Sequence, residues 1–431
     1  MLMSGESHAA ATPRGHVPQE GDEGPSVPAQ VLFLTPRWAR DGGVGAHVVA
    51  SAAALAQAGV QVTVLVAQID FDEPIPGVSV RLAPRLLDRG AKVADRLGLD
   101  TDAPPALAHL HQVDDPDLVA ALGELAPVAI SAHGYTACTS GVHYFRPGHE
   151  CSRPHGPGCI PNLVGCAHIR NPTTLPRRYV AASRGLRALR HADVAISYSS
   201  AVDRHLAANR IRHRAIVPYF PTIPSPASPL APAERRVMFA GRVIAAKGAG
   251  VLIRAVARLQ AELLICGDGR DLEAMRRLAR RLGIAERVHF TGWLAPRELS
   301  DQLAEASIVA LPSVWPEPFG LVGIEALAAG RPAIASATGG VGDWLQQGVS
   351  GLMVPPGNVS ALARALDQLL ADPARQRTMG AAGKQTVAAR FSQQRHLAVL
   401  FQAYAAAARG WQAQRNRQAP PAVLPARAAL A

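Results

Sequence analysis

The chain is poor in lysine, in aromatic residues and in cysteine. Lysine stands at three of 431 positions, Lys92, Lys247 and Lys384, although Lys and Arg together number 44. A lysine inside a motif is therefore not explained by composition. Aromatic residues make up 5 % and cysteines number five, which excludes a disulfide-dense secreted scaffold. No long apolar run is present. The nearest, Val48 to Ala67, is interrupted by Gln57, Gly59 and Gln61 and reads as helix, glycine stop and strand, not as a membrane span. The first 29 residues lack the apolar segment of a cleavable signal and read as a disordered tail.

What is present is a long, half-apolar chain, 48 % hydrophobic and 18 % charged, enough for two or three domains with buried cores. The net charge of +11 is almost all arginine. It raises the question of phosphate-bearing partners, but no helix-turn-helix, zinc-finger or aromatic strand signature supports a nucleic-acid binder.

Gln30–Thr35 reads as a buried strand, followed by a loop at Gly42–Gly45, a helix to Ala58 and a second strand, a βαβ unit that calls for a parallel sheet. Residues 70–125 are less legible, with a helix near Asp117–Leu125. Pro127–His133 and Asp193–Ser197 read as further strands. Between them lie an irregular insertion rich in Gly, Pro, His and Cys, 134–176, and a basic helix from about Pro176 to His191. Six prolines in Pro218–Pro232 mark an interdomain linker.

The α/β pattern then restarts. Arg236–Gly241, Glu262–Gly267, Val288–Thr291, Ser307–Leu311 and Ala333–Ser336 read as strands. Helices are expected at Gly248–Gln260, Asp271–Leu282 and Gly320–Ala329, the second carrying apolar residues at 272, 275, 278, 279 and 282. The domain limits are a tail 1–29, a first domain 30–217, a linker 218–233, a second domain 234–392, a helix 393–409 and a loose tail 410–431.

Three clusters fall at carboxyl ends of these second-domain strands, where open parallel sheets bind ligands. Arg242 and Lys247 follow the first, two cations beside a helix start, a phosphate-binding arrangement. Gly267-Asp268-Gly269 follows the second and is a weak signal, equally a plain tight turn. In Pro316-Glu317-Pro318-Phe319-Gly320-Leu321, with Glu325 one turn into the helix, two carboxylates lie beside an anion site, a place suited to sugar hydroxyls.

The pattern Gly-Arg-x4-Lys-Gly, Gly-x-Gly and Glu-Pro-Phe-Gly-Leu with a second Glu eight residues after the first resembles the family 4 retaining glycosyltransferases of GT-B fold. The opening Gly-Gly-Val-Gly-Ala-His-Val and the Pro218-Tyr219-Phe220 approach are similar too, and the likeness covers about 30–405. The resemblance implies two Rossmann-like domains facing a central cleft, and transfer of a hexosyl group from a nucleoside-diphosphate sugar with retained configuration. The reaction would proceed by same-face attack, with the leaving phosphate taking the acceptor's proton.

By match, Arg242 and Lys247 would bind the diphosphate and Glu317 the donor sugar. Phe319, Gly320 and Leu321 would present backbone N–H groups, and Glu325 would meet the ribose. Gly43 would lie near the donor phosphates and Gly267 at the donor. His133 resembles a first-domain active-site histidine that orients the sugar or assists proton transfer, although a histidine at a strand end is as often structural. The resemblance also implies that the helix 393–409 crosses back to the first domain. No DxD-type motif stands at a matching place, so no catalytic divalent ion is expected. A lipid-linked or glycan acceptor and a cytoplasmic location complete the expectation; the basic helix reads either as a contact for an anionic membrane or acidic acceptor or, more often for such charge runs, as a solvated face. The alternative of a dinucleotide oxidoreductase fails on Gly42–Gly45, which is not Gly-x-Gly-x-x-Gly.

Cys138, Cys151, Cys159 and Cys166 lie within 29 residues of the insertion. Three readings stay open: a structural zinc or iron–sulfur site, disulfides or redox pairs, and unlinked thiols. Cys266 reads as a core thiol.

Overall fold

The computed structural model describes residues 27–71, 73–98, 104–141, 144–146, 149–151, 153–166, 172–224 and 235–418. Residues 1–26 of the expected tail 1–29 and residues 225–233 of the expected linker 218–233 lie outside these residues.

In chain order the first domain contains β1 (Gln30–Trp38), α1 (Gly42–Gln57), β2 (Gln61–Ile69), β3 (Val78–Leu82), α2 (Val93–Leu97), β4 (Ala108–His111), α3 (Pro116–Leu125) and β5 (Val128–Ala132). The two-stranded β6 (Tyr144–Arg146) and β7 (His149–Glu150) belong to the insertion. The domain closes with α4 (Leu175–His191), β8 (Val194–Ser197), α5 (Ser200–Ala208) and β9 (Arg214–Ile216). The second domain runs β10 (Arg236–Ala240), α6 (Ala249–Val256), β11 (Glu262–Cys266), α7 (Leu272–Arg281), β12 (Val288–Gly292), α8 (Pro296–Glu305), β13 (Ile308–Leu311), α9 (Leu321–Ala328), β14 (Ala333–Ser336), β15 (Gly351–Val354), α10 (Val359–Leu370) and α11 (Pro373–Arg390). The last helix is α12 (Gln393–Gln418).

The first sheet has the order β3-β2-β1-β4-β5-β8-β9 and the second β12-β11-β10-β13-β14-β15. Pairings within both sheets are parallel, and β1, β4, β5, β10, β11, β13 and β14 lie between neighbours. That explains the near-continuous apolar composition of these strands other than β4, since both faces of such strands are covered by helices. In each sheet the strand order reverses beside the first strand, between β1 and β4 and between β10 and β13. A crevice opens there at the carboxyl ends.

Three expectations change. Gly42–Gly45 is not a loop ahead of the helix but its first turn, because α1 starts at Gly42 with φ 75°. Lys247 does not start α6. It ends a single 3-10 turn, Ala245–Lys247, held by the Asp271 carboxylate accepting from the Ala245 N–H at 2.7 Å. The region 410–418 is not loose: α12 continues through it. Trp411 Nε1 donates to the Gly123 carbonyl at 2.6 Å and Arg415 to the Glu124 carbonyl at 3.0 Å, both at the end of α3. As expected, α12 crosses to the first domain. Its His396 bonds the Pro218 carbonyl at 2.7 Å and its Tyr404 hydroxyl meets His109 at 2.8 Å.

Candidate active site

The two switch points face each other across a cleft of about 850 Å³. Its second-domain wall is built from the loops after β10, β11, β12 and β13 and the start of α9. Gly241, Arg242, Lys247, Gly267, Trp293, Ser313, Trp315, Glu317, Gly320, Leu321 and Glu325 all line it. Arg242 is exposed and has no ion pair among the described residues.

Lys247 and Glu317 are brought together. Lys247 Nζ donates to both Glu317 oxygens at 2.8 Å. Ser313 and Trp315 donate to the same carboxylate at 2.7 and 3.3 Å. Burial pushes the Glu317 carboxyl up, but Lys247 with the Ser313 and Trp315 donors outweighs it and holds the group below its ordinary range. The expected division of labour, Lys247 on phosphate and Glu317 on sugar, is thus a single buried ion pair in this structure. Glu325 is also buried. The Thr222 hydroxyl, on the linker, donates to it at 2.9 Å. Burial raises its carboxyl above the ordinary range despite the Thr222 bonds.

The glycines work by close backbone approach. A Cβ on Gly248, φ 75°, would lie 1.9 Å from the Pro312 carbonyl oxygen, and one on Gly267 would lie 2.0 Å from that of Gly241. Gly267 therefore approaches the neighbouring loop of its own domain. Gly320, φ 89°, precedes α9, whose first N–H groups have no intrahelical acceptor. Gly43 sits on α1, with Leu321 side-chain carbon 3.7 Å from where its Cβ would be, so the two helix starts meet across the cleft. The Phe319 side chain is buried with Tyr219 and Phe391, and its carbonyl accepts from Trp344 Nε1 at 2.7 Å.

His133 does reach the cleft, but neither ring nitrogen is free. Nδ1 pairs with the Tyr219 hydroxyl at 2.9 Å and Nε2 with His111 Nδ1 at 3.1 Å. Burial pushes its pKa down to about 3, so it is neutral at pH 7. A donor hydroxyl meets His133 only by displacing Tyr219 or His111. The geometry makes it part of a polar network: Tyr198, Ser131, His109 and Tyr404 form a parallel chain with distances of 2.7 to 2.8 Å.

Sequence reasoning missed Trp293, half-exposed in the cleft, and the donors Ser313, Trp315 and Thr222. A tryptophan directly after a strand-ending glycine was the available signal for the first. It also missed Asp114.

The insertion's cysteines are all free and part-buried. Among the described residues no group of three or more metal-ligating side chains is placed to hold an ion. Cys138, Cys151, Cys159 and Cys166 form no disulfide. The Cys138 sulfur lies 3.2 Å from the Ser140 hydroxyl, and the Cys159 thiol points to the Pro154 carbonyl at 3.7 Å. Burial first, then the other three sulfurs, pushes Cys166 up to about 11. Where the insertion touches the second domain, Glu150 accepts from the Gly339 N–H at 2.9 Å and from Thr338 at 3.3 Å.

Residues 225–386 match the family model of glycosyl transferases group 1. The chain is 35 % identical over 193 residues to a D-inositol 3-phosphate glycosyltransferase of Streptomyces bingchenggensis, covering 42 % of each. It is 36 % identical over 166 residues to a GDP-mannose-dependent α-(1-6)-phosphatidylinositol monomannoside mannosyltransferase of Mycobacterium tuberculosis, 36 % of this chain and 43 % of that protein. The chain spans less than half the length of these curated relatives. Sucrose-phosphate synthase from Thermosynechococcus elongatus superposes with a TM-score of 0.64 at 22 % identity, over 90 % of this chain and 98 % of that one. Anabaena HepE in complex with UDP-glucose gives 0.60 at 20 %, over 86 % and 98 %.

The fold is GT-B. The glycosyl transferases group 1 model matches the second domain, and the Arg242, Lys247, Glu317 and Glu325 cluster lies within the matched residues. The dinucleotide-oxidoreductase reading gains no support from these matches. Among the described residues no helix of this GT-B chain is long and apolar enough to cross a membrane.

Proposed function

We propose that the protein transfers a glycosyl group from a nucleoside-diphosphate sugar to a hydroxyl acceptor, with retention of configuration. The observation that carries this reading is the second-domain switch point. It combines an Arg242 with no ion pair among the described residues, a half-buried Lys247 paired with a buried Glu317, a buried Glu325 and the start of α9 on one wall.

Breaking the bond to the diphosphate builds negative charge on the leaving group. Arg242, Lys247 and the α9 N–H groups are the donors that would stabilise it, and they stand in place before the reaction. Glu317 neutralises Lys247 until an anion arrives, then is placed to accept from sugar hydroxyls while Lys247 turns to phosphate. Glu325 serves the ribose at the cost of its Thr222 bond. Trp293 offers an exposed ring for the base. Same-face attack needs no protein base, because the departing phosphate oxygen takes the acceptor's proton, and it fits a neutral, fully bonded His133. No step is assigned to a metal.

Relatives named for GDP-mannose and for inositol phosphate, and a structural neighbour holding UDP-glucose, support a nucleotide-sugar donor without choosing the base or sugar. Exposed Arg177, Arg178 and Arg187 with exposed Val180 on α4 support peripheral contact with an anionic membrane on the cytoplasmic side.

A thermal-shift screen of UDP- and GDP-sugars, followed by turnover with the best ligand, tests the reading. A stabilising shift lost in Arg242→Ala is expected. No shift with any nucleotide sugar would overturn the proposal.

A further inference from the structure

The first domain has its own switch point, between β1 and β4, and it too opens into the cleft. Its wall includes Gly42–Gly45 after β1, Gln112 and Asp114 after β4, and His133 to Thr136 after β5. The register pairs His111 with Ser131, so the loops beyond β4 and β5 run side by side.

Asp114 stands out among these residues. It lies three residues past β4, and its Oδ1 is shielded from solvent with no hydrogen-bond partner among the described residues. A buried carboxylate oxygen without a donor is costly, and native structures keep few of them outside ligand sites. Helix α4 closes over Asp114 at Gly185, where an added Cβ would lie 3.4 Å from Asp114 Cβ. Gln112 just ahead takes φ 57°, a left-handed conformation that costs free energy for a residue with a side chain. Thr136 Oγ1, on the adjacent loop, is a second shielded polar atom without a partner. The next residue, Asp115, is by contrast fully used. It accepts from Arg96 at 2.9 Å and from Arg184 at 3.3 Å and caps α3 through the Asp117 N–H at 3.0 Å.

The charges on this wall point to what fits. Arg37 is paired with Asp41 at 3.0 Å and Asp70 at 2.7 Å, and Arg40 lies 3.6 Å from Glu73. Both of these arginines are therefore engaged and Arg89 lies 3.6 Å from Asp115, while Asp114 Oδ1 has no partner among the described residues. A phosphate would meet repulsion there. A neutral hydroxyl would supply the missing donor.

Resting on the glycosyl-transfer reading above, we propose that Asp114 binds the acceptor by accepting a hydrogen bond from one of its hydroxyls, and that the group seated there is an uncharged polyhydroxy ring, a sugar or a cyclic polyol, not a phosphorylated one. Thr136 lends a second hydroxyl contact. Burial raises the Asp114 carboxyl to about 6, against the pull of Arg89, as expected for a carboxylate waiting for a donor.

The test uses the full chain. Donor affinity is first measured by calorimetry with UDP-glucose and GDP-mannose. Labelled sugar transfer is then followed to a panel of myo-inositol, glucose, mannose and glucosamine, and to inositol 3-phosphate and glucose 6-phosphate. The expected result is transfer to at least one neutral compound in preference to its phosphorylated form. Asp114→Ala is expected to raise that acceptor's KM tenfold or more, with donor affinity within twofold of the parent and kcat at saturating acceptor falling less than KM rises. Asp114→Asn, which keeps a carbonyl acceptor and the volume, recovers part of the KM. Equal KM in parent and both variants would overturn the proposal. So would preference for the phosphorylated compounds, transfer to none of the neutral ones, or loss of donor affinity in a folded Asp114→Asn. Failure of the parent to bind either nucleotide sugar would instead overturn the donor reading, and this inference with it.

Discussion

The two domains share one wiring and use it differently. Both place a crevice between the first strand and the strand that reverses the order. In the second domain the crevice holds the Lys247–Glu317 ion pair, Glu325 bonded to the Thr222 hydroxyl, and an exposed Arg242 with no ion pair among the described residues. In the first it holds neutral histidines bonded to tyrosines, and a carboxylate without a donor. The same topology therefore supports a site poised for an anion and a site poised for hydroxyls. Function resides in the side chains that the loops deliver, not in the sheet.

The largest effect should come from breaking the second domain's pair. Lys247→Ala leaves the Glu317 carboxylate buried without its cation, which costs about 3–5 kcal/mol of stability and lowers transfer at least about 100-fold. Urea denaturation and turnover check both. Glu317 has its folded pKa held below the ordinary value, so the pair's contribution is present above that value and is lost as pH falls through the folded pKa. Lys247→Ala should flatten that loss on the acid side. A parent whose stability falls no more steeply on the acid side than the variant's would break the comparison.

Glycine substitutions come next. Gly248→Ala drives a Cβ into the Pro312 carbonyl at a positive φ and should cost about 3 kcal/mol. Gly43→Ala meets only Leu321 at ordinary contact distance within a helix, so it should be neutral or stabilising by about 0.5–1 kcal/mol. It should still slow transfer, because it narrows the meeting of the two helix starts. Melting temperatures and rates of the two variants, side by side, decide this.

Asp114→Asn should behave opposite to Lys247→Ala. Its folded pKa is raised from 3.8 to about 6. The penalty is absent below the unfolded value and grows as pH rises through the folded one. The variant should therefore gain on the order of 2 kcal/mol at pH 8 and little at pH 4. Equal stabilities at pH 8 would show that Asp114 finds a donor in solution.

The smallest effect is expected at the linker. Thr222→Val removes one hydrogen bond to Glu325 and should cost about 1 kcal/mol. Donor affinity should hold or improve, since Glu325 is released. Calorimetry reads the change.

Much of the fold was legible because buried parallel strands announce themselves. Gln30–Thr35, Glu262–Cys266 and Ala333–Ser336 are apolar runs bounded by turn residues. The stretch 70–125 was not, for a physical reason. Strand β4 is Ala-His-Leu-His, and its two histidines are buried as neutral rings by partners far along the chain: Tyr404 and Ser131 for His109, His133 for His111. The end of α12 was hidden in the same way. Its Gln- and Arg-rich turns carry no apolar stripe, and Trp411 and Arg415 anchor them to α3. The cysteine spacing pointed three ways, and the four sulfurs are part-buried with no disulfide among them.

Local sequence by itself determined two α/β halves, the strands at their centres, and the second-domain cluster, because apolar periodicity, glycine positions and a rare lysine act over a few residues. Only the tertiary structure decided which charges meet. Lys247 and Glu317 are 70 residues apart and bond at 2.8 Å. His133 and Tyr219 close each other off across 86 residues. Asp114 is left waiting because α4, not its own neighbours, shields it. A side chain's chemistry depends on its partners and its solvent, and those are set by packing between distant segments.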